Sequence, residues 1–226
     1  GEKRFALGVQ IIAGASDPLA VSAGYARVAE AAIEVIARAT IAQFAQVHGT
    51  VPGSELVILA LGRLGGGALT HASDLDLIFL FTGEHSAESG GARPLGAVMY
   101  YNRLAQRIIG ALSVATAAGP LYEVDTRLRP SGGQGPISVS LAGFARYQRE
   151  NAWTWEHMAL TRARPVFGSG AARGAVTEAI DAVLQGARPE RSIAAEAARM
   201  REEMAAHKPP LGPLDAKLLP GGLVDL

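Results

Sequence analysis

Two glycines, Gly65-Gly66, are followed seven residues on by Ser73-Asp74-Leu75-Asp76, and this combination constrains the chain more than any other. The apolar run Leu56 to Leu61 leads into the glycines, and a second run, Leu75 to Phe81, carries the aspartates at its start. Both runs read as buried strands. Residues two apart in a strand point the same way, so Asp74 and Asp76 share a face while Leu75 and Leu77 pack behind them. Two carboxylates held that close repel and lose hydration, and a cation between them relieves both penalties. A hard ion such as magnesium prefers carboxylate oxygens and brings substrate phosphates with it. Glycines let backbone N–H groups approach an anion closely. Either signal alone is weak, because Gly-Gly is commonly a turn and Asp-x-Asp commonly a cap. Together, at the rim of a core, they predict metal-dependent phosphoryl or nucleotidyl transfer.

Such a centre needs a third acid. In Leu121 to Pro130 the residues Tyr122, Val124, Thr126 and Leu128 alternate with Glu123, Asp125, Arg127 and Arg129, predicting one strand with the charges on a single face. One reading is a half-exposed strand with a solvated ion-pair ladder. The other is an acid for the metal, Asp125, with Arg127 and Arg129 gripping a polyphosphate. The charge pattern leaves both open.

Four segments resemble the glutamine synthetase adenylyltransferase family: Gly62-Arg63-Leu64-Gly65-Gly66-Gly67, His71 to Leu80, Tyr122 to Gly132, and Trp153-Thr154-Trp155-Glu156-His157 through Arg164. The resemblance runs from about Ile11 to the end of the chain. It implies an α/β fold of the polymerase-beta-like nucleotidyltransferase type, a mixed sheet with flanking helices and a helical C-terminal extension. It also implies transfer of AMP from ATP to a tyrosine of glutamine synthetase, with release of pyrophosphate and control of nitrogen assimilation. Asp74, Asp76 and Asp125 would be catalytic and would hold Mg2+. Gly65, Gly66, Ser73, Arg127 and Arg129 would bind the nucleotide. Glutamine synthetase would be the protein substrate, the PII signal protein a partner of the full-length enzyme, and the location cytoplasmic. Glu123 ahead of Val124-Asp125, together with Trp153 to His157, resembles the C-terminal, adenylylating half. The phosphorolytic de-adenylylating half and a non-catalytic nucleotide- or regulator-binding module are the alternatives. Arg63 stands where the family usually has lysine, which keeps the charge and changes its geometry.

The rest of the composition mostly excludes. With 21 basic and 21 acidic side chains the formal net charge is zero, which argues against general nucleic-acid binding. Arg127, Arg129, Arg162 and Arg164 could still form a local positive pocket, or the last two a solvated helix face. No cysteine is present, so disulfides and thiolate chemistry are excluded. No apolar stretch has the length of a transmembrane helix, and the histidines are too scattered for a zinc site. The chain starts Gly1-Glu2-Lys3 and stops at Gly221-Gly222-Leu223-Val224-Asp225-Leu226, where the family continues, so an excised piece is expected.

Three segments are expected: a helical packing segment over 1–50, a catalytic core over 51–140 and a helical extension over 141–226. Asp17-Pro18 starts a helix that stops at His48-Gly49. Its apolar stripe is read as Val21, Tyr25, Val28, Ala32, Val35, Ile36 and Phe44. Gly83 to Pro94 is expected to be a mobile loop beside the site, contacting substrate or serving as a surface insertion. A helix over Leu95 to Ala115 precedes the strand bearing Asp125. Ser140 caps a helix running toward Trp155, with Trp153, Trp155 and Met158 expected in core or interdomain packing, and with Glu156 and His157 as possible pocket residues. Ala171 to Gln185 and Ser192 to His207 are expected to form a helical bundle.

Overall fold

The computed structural model describes residues 2–116, 119–186 and 193–222. The expected bundle start at Ser192 and the terminal Leu223-Val224-Asp225-Leu226 therefore lie outside the described residues. A short helix α1 (Glu2–Ile12) precedes the long α2 (Pro18–His48). The Asp17 carboxylate accepts the Ala20 N–H at 3.1 Å, Pro18 fills the first turn, and Gly49 at φ +70° ends the helix. The buried stripe is Val21, Tyr25, Ala29, Ile33, Ala37, Phe44 and His48; Val35 faces solvent, because an i, i+4 row and not the largest residues sets the stripe.

Strands β1 (Leu56–Ala60) and β2 (Leu75–Phe81) form an antiparallel pair, joined by the single-turn helix α3 (Gly62–Gly65). Helix α4 (Ala97–Ser113) then leads to β3 (Val124–Asp125) and β4 (Ser138–Ser140). Both join β2 in parallel on the side away from β1, β3 beside its start and β4 beside its end. After α5 (Leu141–Glu150) and α6 (Thr154–Leu160), β5 (Arg164–Phe167) adds antiparallel to the free side of β1. Helices α7 (Gly170–Leu184) and α8 (Ile193–His207) follow. The fold is therefore α/β with a mixed sheet and flanking helices.

Strand alternation divides the core in two. Leu56, Ile58, Leu75, Leu77, Phe79 and Phe81 pack with α2 and α4. Val57, Leu59, Ile78 and Leu80 pack with Phe144, Leu160, Val176 and Ile180 of α5, α6 and α7. Each such side chain is worth about 1.5–3 kcal/mol of transfer free energy when fully buried. The sheet is therefore covered on both faces, and the polar chemistry falls at its ends.

Several expectations are corrected. The charged strand over 121–130 stops at Asp125, and the chain turns from Thr126 onward. The helix capped by Ser140, whose Oγ accepts the Gly143 N–H at 3.1 Å, ends at Glu150, and α6 starts afresh at Thr154. Trp153 and Trp155 are 59% and 39% exposed, and Met158 is exposed too, so they are not core. Arg164 begins a strand and does not lie on a helix. Helix α7 packs on α5, α6 and β5, while α8 buries no residue and leans on α6, where Thr154 donates to Glu196. The segment after β2 lies at the opposite end of the strand from the aspartates. It is pinned by bonds from Gly90 N to Thr50 O, Gly91 N to His48 O and Arg93 N to Val47 O. Among the described residues no helix is long and apolar enough to cross a membrane.

Candidate metal centre

The register places Asp76 of β2 directly beside Asp125 of β3, and Leu75 N donates to Glu123 O at 2.9 Å. Asp74 sits one step ahead of the strand on the same face as Asp76. One carboxylate oxygen from each of Asp74, Asp76 and Asp125 lies within 4.8 Å of the others. Adjacent strands are about 4.8 Å apart, which accounts for the approach of Asp76 to Asp125, while Asp74 joins them from the turn ahead of β2. Asp74 is exposed and the other two are half-buried.

The cluster is electrostatically strained. Burial, then Asp74 and Asp125, push the Asp76 carboxyl above its ordinary range, against the pull of Arg127 and Arg162. Asp125 moves the other way, because Arg127 hydrogen-bonds to it. The Arg127 Nε reaches Oδ1 at 3.0 Å and Oδ2 at 2.8 Å, Nη2 reaches Oδ2, and the Arg127 N–H reaches Oδ1 at 2.8 Å. A cleft of about 400 Å³ opens here, lined by Asp74, Glu123 to Thr126 and Arg127. The donor set, three hard carboxylates without nitrogen or sulfur, fits magnesium or manganese.

The other residues singled out from sequence take different places. Gly65 N donates to Leu61 O at 2.8 Å and Gly66 N to Gly62 O at 3.2 Å, so neither N–H is the anion donor expected of it. Gly65 is required for another reason: a Cβ there would fall 2.0 Å from Arg162 O. The Ser73 hydroxyl accepts the Thr70 N–H at 3.0 Å and shares a bond with Thr70 Oγ1 at 2.9 Å, stapling the turn ahead of Asp74. Arg63 Nη1 reaches the same Thr70 Oγ1 at 3.4 Å. Arg129 does not share the face of Arg127. It is buried, and its guanidinium binds the carbonyls of Thr126, Gly133, Gly135 and Pro136, because the turn after Asp125 wraps around it. Glu156 is buried with Oε2 on Trp153 N at 2.8 Å, and His157 Nε2 meets Gln148 O at 2.8 Å, so both are structural.

Sequence reasoning missed Gly62 as a site residue. Its φ is +55°, and a Cβ would lie 2.1 Å from Asp76 Oδ2, so only glycine lets the turn pass over that carboxylate. Arg164 was also missed as a support. It bonds Leu64 O at 3.1 Å and Gly65 O at 3.2 Å and pairs with Glu30, holding the end of α3. Arg162 is exposed beside Gly66 and among the described residues makes no hydrogen bond through its guanidinium. A signal existed for Gly62, the first of four glycines over 62–67. Nothing local marks Arg164.

The sequence pattern of the family described as glutamate-ammonia ligase adenylyltransferase matches residues 2–179. Over all 226 residues the chain is 44% identical to the bifunctional glutamine synthetase adenylyltransferase/adenylyl-removing enzyme of Brucella suis, covering 23% of that protein. The enzymes of the same name from Mesorhizobium japonicum and Agrobacterium fabrum are 43% and 41% identical over 226 residues, again all of this chain and 23% of theirs. The chain thus spans about a quarter of the length of the curated relatives it matches.

Proposed function

The chain belongs to the glutamate-ammonia ligase adenylyltransferase family, and from that premise we propose that it is a nucleotidyltransferase unit moving AMP from ATP onto a tyrosine of glutamine synthetase. The observation that carries the reading is the convergence of Asp74, Asp76 and Asp125 within 4.8 Å on neighbouring strands. In this reading the fold is a polymerase-beta-like one, and the segments 1–50, 51–140 and 141–226 work as one unit. The bond of β5 to β1 supports that unity, since it ties the third segment into the sheet of the second.

The tyrosine oxygen attacks the α-phosphorus of ATP, a new P–O bond forms, and the bond to the β-phosphate breaks to release pyrophosphate. The three carboxylates would hold magnesium, which would supply charge neutralisation at the phosphates and lower the pKa of the attacking hydroxyl. Asp74 and Asp76 hold the nucleotide side and Asp125 the acceptor side, where it also takes the hydroxyl proton. Arg127 and the unbonded Arg162 face the triphosphate. Gly65, Gly66 and Ser73 serve by keeping the turns around it thin and fixed. Arg129 serves by shaping the turn behind Arg127. Catalysis by such a site is positioning and electrostatic preorganisation. Glu123 and the segment Trp153 to His157 support the adenylylating direction. A cytoplasmic setting and control by the PII protein belong to the same proposal.

The test is incubation of the chain with labelled ATP, magnesium and unmodified glutamine synthetase. Label should appear on the protein with release of pyrophosphate. Phosphate-dependent removal of AMP from modified glutamine synthetase, without forward transfer, would assign the de-adenylylating direction. Nucleotide binding without either reaction would make the unit a binding module.

A further inference from the structure

Helix α1 contributes no fully buried residue and lays Phe5 and Ile12 out to solvent, yet one of its side chains reaches the two segments that lead into the carboxylate cluster. Arg4 is half-buried. Its Nη1 donates to Leu121 O at 2.7 Å and its Nη2 to His71 O, while the guanidinium carbon lies 4.8 Å from the centre of the Tyr122 ring. The Tyr25 hydroxyl of α2 donates to Arg4 O at 3.0 Å and fixes the base of the side chain. Leu121 leads into Asp125, and His71 leads into Asp74. One guanidinium therefore bridges the two segments that deliver the acids.

The bridge matters because the hydrogen-bonded pairing between those segments is short, although Leu69, Leu75 and Tyr122 anchor their bases in one core. Strands β2 and β3 pair only at Leu75 with Val124 and at Asp76 with Asp125. Asp74 stands outside that ladder, and mutual repulsion of the carboxylates pushes the segments apart. The Ser73–Thr70 staple and the bond from Tyr122 N to Leu112 O each fix one segment, to itself or to α4. Upstream of the ladder, Arg4 is the link between the two among the described residues. A planar fork with two donors can span two carbonyls, whereas an ammonium is a single point charge.

We propose that Arg4 is a positioning residue and α1 a brace: by bridging His71 and Leu121 it sets the separation of Asp74 from Asp125 and so the affinity of the centre for divalent cation. The proposal rests on the reading of the three carboxylates as a metal centre.

The test compares wild type, Arg4→Gln and Arg4→Lys in the purified chain, reading Mn2+ affinity by electron paramagnetic resonance and amide exchange by mass spectrometry. Arg4→Gln should weaken Mn2+ binding about tenfold, the scale of losing an outer-shell contact. Exchange should accelerate over 70–74 and 121–126 while the amides of β2 and α4 stay protected. Arg4→Lys, which keeps the charge and loses the fork, should fall between; it also stands in should the glutamine variant not fold. Wild-type Mn2+ affinity in either folded variant overturns the brace, as does acceleration confined to α1. Absence of Mn2+ binding by the wild type overturns the reading of the centre on which the proposal rests.

Discussion

The two ends of β2 are built to opposite rules. The strand has seven residues, so its ends lie about 20 Å apart at ~3.3 Å per residue. At the far end, past Phe81, polar backbone is satisfied. Gly91 and Arg93 hydrogen-bond to the end of α2 and Gly90 to Thr50 just beyond it, His48 Nδ1 meets Arg93 O at 2.7 Å, and Tyr100 donates to Gly49 O at 2.9 Å. The neighbouring cavity, about 340 Å³, has mostly apolar walls, and Glu55 there is occupied by both donors of Ser169. Burial pushes the Tyr101 hydroxyl at that cavity up to about 12, keeping it neutral. At the near end, three carboxylates crowd together and the charge of Asp76 is disfavoured. The lesson is that one end fixes the fold and the other gives up stability for an ion site.

Substitutions at the two ends should therefore separate function from stability. The largest effect is expected from Asp74→Asn or Asp76→Asn. AMP transfer should fall by at least roughly 10³-fold, since a ligand charge at the reacting phosphate is lost. Thermal denaturation should occur no lower than in wild type; a variant that transfers normally, or unfolds far earlier, breaks the comparison.

Gly62→Ala comes next. Its Cβ would displace the Asp76 carboxylate, and a misplacement of about 1 Å at a reacting centre costs on the order of 10²-fold in rate. Steady-state kinetics should show that loss with only a modest drop in midpoint.

Gly91→Ala probes the opposite end. A Cβ there falls 2.1 Å from the carbonyl carbon of His48, a clash with backbone that costs about 1–3 kcal/mol. Denaturant titration should register it, while transfer per folded molecule stays at the wild-type value.

The smallest effect is a pH dependence. The folded-state pKa of Asp76 is raised, chiefly by burial, so the native state binds more protons than the unfolded chain between the ordinary carboxylate value and that raised value. In this window the Asp76 contribution to metal-free stability should rise as pH falls, and Asp76→Asn should abolish it. Asp125 has the opposite sign, with its pKa lowered by Arg127, so its contribution is lost as pH falls through that lowered value. Melting curves of wild type and Asp76→Asn across mildly acidic pH would resolve the two.

What was legible in the sequence follows from range. The apolar runs of β1 and β2, the capped start of α2 and the aspartate pair are local patterns, and the structure places them as read. The alternation around Asp125 left its role open, and the resemblance to the family was what pointed it at that pair. The rest depends on partners far along the chain. β5 is a short strand containing Pro165 and beginning with an arginine, and it is recruited by the exposed side of β1. The inward turn of Arg129 is decided by carbonyls from Gly133 to Pro136. The loop after β2 looked mobile because its Gly- and Ser-rich composition carries no trace of the α2 carbonyls that hold it. Large aromatic side chains such as Trp153 and Trp155 suggest core or interdomain packing, yet the face of α6 that packs inward carries Thr154, Glu156 and His157.

The central claim, that the near end holds a strained carboxylate triad awaiting a divalent ion, is tested most directly by melting wild type and Asp76→Asn with and without magnesium and a non-hydrolysable ATP analogue. Without ligand, Asp76→Asn should melt at or above the wild type. With ligand at about 100 times its Kd, wild type should gain about 2.7 kcal/mol and Asp76→Asn little or nothing at the same concentrations. An equal gain in both proteins, or a wild type that does not respond, would contradict the account.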